Sequence, residues 1–350
     1  MDNLITFLKF RGDIPIKKQP FGEIDAMIFS VLAGINYEGV FSERIPLNNL
    51  YERYLEFGTK DKKDERIEEK INVLKLVSES KRYADFYLDR YEKNIDKETE
   101  TTFYGLSISA PGREHYIVYR GTDGSLLSWK ENFNSICAMP TAGQQMALKF
   151  LSEEASKPFR KCTVIGHSKG GNLAVYAAVF LQMKLQKRIK EVFAFDAPGY
   201  PEDISCKLGY LNIKDRIRGF IPEGCVIGKL MNPPYEKSVV HANGNGVYQH
   251  DLFNWELTAF ETVKEPETNL FSDSLSKKFN KWVDGIPINE RENVVNELFD
   301  MFKKNGINHI VDLMHIDLRK IVGIIMSATS LSSQNRALLG IIIKELRANH

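Results

Sequence analysis

Between Gly166 and Gly170 the chain reads G-H-S-K-G, and the stretch from Val164 runs VIGHSKGGNLAVYAA. The residues before the first glycine are apolar and β-branched, and GNLAVYAA has the composition of a packed helix, so Ser168 falls on a strand-to-helix turn. A serine there is placed for nucleophilic attack. Gly166 and Gly170 leave room for a strained turn, while Gly171 and Ala174 let the next helix approach the strand. That helix directs unpaired N–H groups, the one of Lys169 among them, toward the point where an acyl-transfer oxyanion develops. A serine hydroxyl stays a weak nucleophile until a histidine takes its proton and a carboxylate orients that histidine.

Both partners must emerge at the same sheet edge as Ser168, because open α/β sheets bind ligands beyond the carboxyl ends of their strands. The next strand-like run, EVFAFDAPG, ends on Asp196, which makes Asp196 the preferred acid. The run after it, RIRGFIP, offers Glu223 at its far end as the alternate, whereas Asp215 precedes that run at the wrong edge. Downstream lie two histidines, His241 in VVHANGNG and His250 in YQHDLFNW. His241 follows an apolar run and suits a strand end. His250 lies in the loop beyond the next turn and is preferred as the base. His167, beside the serine, is expected to pack under the turn.

These side chains need a scaffold, and three textures supply it. Residues from about 20 to 100 look helical and charged, as in KDKKDERIEEKINVLKLV, and define a mainly helical N-terminal region over 1–100. From Thr101 short β-branched and aromatic runs appear: TFYGLSIS, EHYIVYRG, CTVIGHS, EVFAFDAPG, IRGFIP and KSVVHA. Helical patterns, AGQQMALKFLSEEASK and GNLAVYAAVFLQMKLQKRIK, separate some of them, so residues 101–264 are expected to form a mostly parallel sheet with crossover helices. Beyond 265 a helical appendage is expected: SLSKKFNKWVDGI, NERENVVNELFDMFKKNG, HIVDLMHIDLRKIVGIIM and QNRALLGIIIKELRANH, with Asn305–Gly306 as a stop.

The bulk numbers narrow the class. The 350 residues are 43% hydrophobic with a net charge of +1, which suits a globular chain with a large core and gives no electrostatic reason for nucleic acid as partner. Cys137, Cys162, Cys206 and Cys225 form no C-x-x-C pair, so neither a disulfide framework nor a metal site is expected. The N-terminal MDNLITFLKFRGD lacks the marks of a secretory leader, and the longest apolar run, IVGIIMSA, is too short for a transmembrane segment. A cytoplasmic protein without cofactor is the expectation. The appended helices are a candidate surface for a protein partner.

On the residues GHSKGGNLA, FDAPG and QHDLFNW, together with YRGTDGSLLSWKENF from Tyr119, the sequence resembles the α/β-hydrolase superfamily, and within it the class 3 lipases and an allied bacterial domain family of unknown function. The resemblance covers roughly residues 20 to 260 and implies an α/β-hydrolase-like sheet flanked by helices. It implies that Thr122, after the R-G pair, supplies an oxyanion donor beside Lys169. It implies the chain order serine, acid, histidine, against which His115 stands, and it places the base at His250. The class 3 pattern takes its acid after the following strand, where this chain has Glu223 and no aspartate.

The implied activity is hydrolysis of an ester or thioester through an acyl-enzyme. Lys169 and Asn172 depart from the apolar or small residues of the lipases, and the lid-like SLLSW is brief. A cation beside the nucleophile points to a small or polar acyl substrate in place of a triglyceride. Two alternatives accompany this reading: a non-catalytic binding protein on a hydrolase fold, and a membrane-acting lipase with an apolar surface near Trp129.

Overall fold

The computed structural model describes residues 3–60, 64, 66–308, 332, 333, 335, 336 and 340. Its centre is one eight-stranded sheet whose strands lie in sequence order. These are β1 (Ile45–Pro46), β2 (Tyr87–Asp96), β3 (Thr101–Ala110), β4 (Glu114–Tyr119), β5 (Lys161–His167), β6 (Ile189–Phe195), β7 (Ile217–Pro222) and β8 (Lys237–Val240). The first four pair antiparallel, β1 joined to β2 through two α-helices and β2 to β4 through short connections, and β4 to β8 run parallel.

The sequential order determines which layer covers which face. Parallel crossovers are right-handed, so a sheet that always steps in the same direction collects its crossover helices on one face. Those helices are α5 (Leu126–Asn134) and α6 (Ala142–Ser156) between β4 and β5, α7 (Lys169–Phe180) and α8 (Met183–Gln186) before β6, and α9 (Leu208–Ile213) before β7. The opposite face must be covered from elsewhere, and the N-terminal region covers it with α1 (Leu4–Arg11), α2 (Glu23–Ala33), α3 (Leu47–Phe57) and α4 (Ile67–Glu79). Every residue of α2 from Ile24 to Ala33 is buried, as a helix between sheet and outer helices requires.

The pleat divides each strand between the two cores. On β4, Tyr116 and Val118 join the N-terminal core, while Ile117 and Tyr119 join the core under α6 and α7. On β6, Phe193 and Phe195 face the first and Val192 and Ala194 the second. Such strands read as continuous apolar runs because both faces are buried.

The stretch read as helical up to residue 100 departs from that reading at β2, which pairs with β3 along its whole length. Its charged residues are accommodated because β2 is only half-buried, with Arg90 paired to Glu92, Glu153 and Glu154. The sheet therefore begins inside the N-terminal region.

After the sheet come α10 (Leu270–Asp284) and α11 (Ile288–Lys304), which close on Gly306 at φ 70°. They build a third core with α5, in which Leu126, Trp129 and Phe133 meet Phe279, Val295, Leu298 and Phe299. Of the two further helices expected in the tail, the first and nearly all of the second lie outside the described residues, as do His309, His315 and His350. Among the described residues no helix is long and apolar enough to cross a membrane.

Candidate active site

Strand β5 ends at His167 and α7 starts at Lys169, with Ser168 alone between them at φ 57° and ψ −129°. An L-residue occupies that region only where its surroundings hold it. The clamp is steric: a Cβ on Gly166 would lie 2.1 Å from the Gly170 carbonyl, and one on Gly170 would lie 2.1 Å from the Tyr119 oxygen. The Ser168 N–H donates to the Phe195 carbonyl at 2.8 Å. Since His167 pairs with Phe195 in the parallel register, Ser168 and Asp196 leave the sheet side by side.

Asp196 is fully buried, at φ 41°. Its Oδ2 accepts from His250 Nδ1 at 2.6 Å and its Oδ1 from the Gly228 N–H at 2.8 Å. Burial works to raise this carboxyl, but the His250 hydrogen bond and charge, with a further bond from Cys225, hold it below the usual carboxylate range. With its proton on Nδ1, His250 presents Nε2 as the basic nitrogen, and Nε2 has no hydrogen-bond partner among the described residues. The His250 side chain is 24% exposed, and Ser168 is 8% exposed. No hydrogen bond joins Ser168 Oγ to His250.

His167, Gln249 and Gly228 brace the His250–Asp196 pair through contacts the sequence does not announce. His167 Nε2 donates to the His250 carbonyl at 2.7 Å, and the two rings lie 4.4 Å apart. Burial, then the neighbouring His250, push the His167 pKa down to about 3, so His167 stays neutral. Expected only to pack under the turn, His167 instead carries this hydrogen bond and ring contact to His250. Gln249 fastens the same loop: its amide donates to Glu223 Oε1 (2.9 Å) and the Ala242 carbonyl (2.7 Å) and accepts from the Gly224 N–H (2.6 Å). Gly228, which fixes the acid, is the third. The partners of His167 and Gly228 are distant in sequence, and no local pattern announces them.

The alternates lie together but apart from this pair. His241 Nδ1 is 3.4 Å from Glu223 and 3.1 Å from Glu265, with Nε2 3.6 Å from Glu256. Asp251, next to His250 in sequence, turns away to Arg66 Nε at 2.7 Å. Asp196, Cys225 and His250 bring one oxygen, one sulfur and one nitrogen within 4.8 Å of one another, a donor set zinc accepts, although two of those atoms already bond each other.

Two sequence-based inferences about the turn need correction. Lys169 was expected to face a polar substrate, but its side chain is buried and its Nζ donates to the Thr102 carbonyl (2.6 Å), Thr102 Oγ1 (2.8 Å) and Glu131 Oε2 (2.7 Å). Asn172 is also spent internally, accepting from Gln144 and donating to the Pro198 and Gly199 carbonyls. Neither polar side chain informs substrate choice. The Lys169 backbone N–H, at the start of α7, has no acceptor within the helix. Thr122 sits in the loop against the turn, where a Cβ on Gly121 would lie 3.4 Å from Ser168 Cβ, and its Oγ1 accepts from Asn132 at 2.6 Å.

Among solved structures the chain is similar to MDLA of Penicillium cyclopium in a mutant form (10% identity, 71% of this chain and 87% of that one, TM-score 0.43). It is also similar to a Rhizomucor miehei lipase–propeptide complex (14%, 63% and 68%, 0.37) and to the lipase of Rhizopus microsporus var. chinensis (17%, 71% and 82%, 0.35). No curated protein matches in sequence. Through the match of residues 77–300 to its model the chain belongs to the Mbeg1-like family.

Proposed function

We propose that this chain is a serine hydrolase that cleaves an ester or thioester through an acyl-enzyme. Ser168 attacks the carbonyl carbon, and His250 Nε2 takes the hydroxyl proton and returns it to the leaving group. Asp196 orients the imidazole and stabilises its charged form. The backbone N–H groups of Thr122 and Lys169 hold the oxyanion, and water then releases the acyl group with His250 again as base. The observation that carries the reading is the 2.6 Å bond between His250 Nδ1 and a fully buried Asp196, at the sheet edge where Ser168 is held at positive φ.

For the substrate, a small acyl group is favoured on grounds other than Lys169. The apolar side of α5 packs against α10 and α11, so Trp129 and Phe133 are engaged within the protein and α5 offers no free apolar face to a lipid interface. The test is turnover of short-chain p-nitrophenyl esters and acyl thioesters by the wild type and by Ser168→Ala. Hydrolysis that falls with chain length and vanishes in the variant is expected; equal turnover by both proteins contradicts the reading. The low exposure of Ser168 favours a second reading, a non-catalytic binding protein, which predicts no turnover by either.

A further inference from the structure

Lys169 is the residue whose type the function leaves unexplained. Its backbone N–H opens α7, while its buried side chain ends on Glu131 of α5. There Glu131 Oε2 accepts from Lys169 Nζ (2.7 Å) and from the Thr102 N–H (2.9 Å). Both charged side chains are less than one-tenth exposed. The other carboxylate oxygen, Glu131 Oε1, is buried without a hydrogen-bond partner among the described residues. A buried acceptor left unpaired is costly, and an apolar pair of the same volume would avoid the cost. The next residue on the helix, Asn132, holds Thr122 Oγ1.

We propose that Glu131 is a positioning residue for the oxyanion site, setting the Lys169 N–H through its buried ion pair while the adjacent Asn132 sets Thr122. One turn of α5 thereby fixes the spacing between the two donors. The C-terminal helices in turn hold α5 and the turn after it: Phe133 meets Phe299 edge-on at 5.4 Å, and Arg291 donates to the carbonyl of Ile136, just beyond α5, at 2.8 Å. The appended helices thus reach the reacting edge through Glu131. The proposal rests on the serine-hydrolase reading, since a spacing between donors matters only if an oxyanion forms.

The experiment compares kcat, KM and fluorophosphonate labelling rate in the full chain for wild type, Glu131→Gln and the double variant Glu131→Leu/Lys169→Met. Displaced donors stabilise the transition state less and leave ground-state binding alone, so Glu131→Gln is expected to lose about tenfold or more in kcat and labelling rate at a KM within about twofold. The double variant leaves no buried charge unpaired and is expected to fold with a melting temperature near that of wild type while kcat stays low. A merely structural ion pair predicts the opposite, recovery of kcat together with stability, and that result overturns the proposal. So does wild-type kcat in Glu131→Gln. If Glu131→Gln fails to fold, the double variant decides. Wild type that neither turns over nor labels at Ser168 contradicts the hydrolase reading itself, whereas an active, labelled wild type with equally active variants removes only the role of Glu131.

Discussion

His250 faces one carboxylate and His241 faces three. The His250 partner is fully buried, 2.6 Å away, and held from its other oxygen by the Gly228 N–H. The three around His241 lie 3.1 to 3.6 Å away, and all four side chains are between one-fifth and about one-third exposed. Water screens such a cluster and leaves the ring free to rotate among its partners. A single desolvated carboxylate does more: it fixes the tautomer, aims Nε2 and stays ionised through its bond to the ring. The comparison teaches that orientation and burial, and not the number of nearby acids, set how firmly a histidine ring is held.

The largest effect should come from removing the charge and leaving the shape. Asp196→Asn is expected to lower kcat by about 10³ to 10⁴ because the amide stabilises the wrong tautomer of His250. Steady-state kinetics on a short ester checks this, with KM nearly unchanged.

Next is His167→Leu, which takes the donor from the His250 carbonyl. Losing the donor to this part-buried carbonyl costs roughly 1 kcal/mol, readable in a denaturant titration, and a drop in kcat of about tenfold should accompany it as the His250 loop loosens.

The same residue sets a pH dependence. An unfolded chain protonates His167 near 6.5 and the folded one near 3, so the unfolded state binds more protons between these values. The stability from neutral His167 is complete above pH 6.5 and is lost as pH falls toward 3. His115, lowered to about 4 by burial and then by Arg160, adds to the same loss. Denaturation midpoints between pH 7.5 and pH 4.5 should fall less steeply for His167→Leu than for wild type.

The smallest effect sharpens the contrast from the other side. His241→Gln should leave kcat within about twofold of wild type. A loss matching that of Asp196→Asn would reverse the roles assigned to the two histidines.

Much of this arrangement was legible because it is local. The strand-turn-helix around Ser168 is written in fifteen consecutive residues, and Asp196 follows from counting one strand further along a parallel sheet. The alternation of strands and helices after Thr101 likewise reflects periodicity within single elements. What escaped depends on pairing across distance. Strand β2 keeps its charges because it stays only half-buried while β3 pairs with it along its whole length, which its own sequence does not disclose. Lys169 looked like a cation at the reacting edge because sequence places a residue on a turn without saying where its long side chain runs, and Glu131 lies 38 positions away. His167 finds its acceptor 83 positions on. The face opposite the crossover helices raised the same difficulty, since α2 covers strands that the chain reaches much later.

The measurement closest to the central claim is covalent capture of the nucleophile: intact protein is treated with a fluorophosphonate and the adduct mapped by mass spectrometry. The account predicts one adduct, on Ser168, absent from Ser168→Ala and slowed strongly in Asp196→Asn. Folded wild type that forms no adduct, or an adduct that persists in Ser168→Ala, would contradict it.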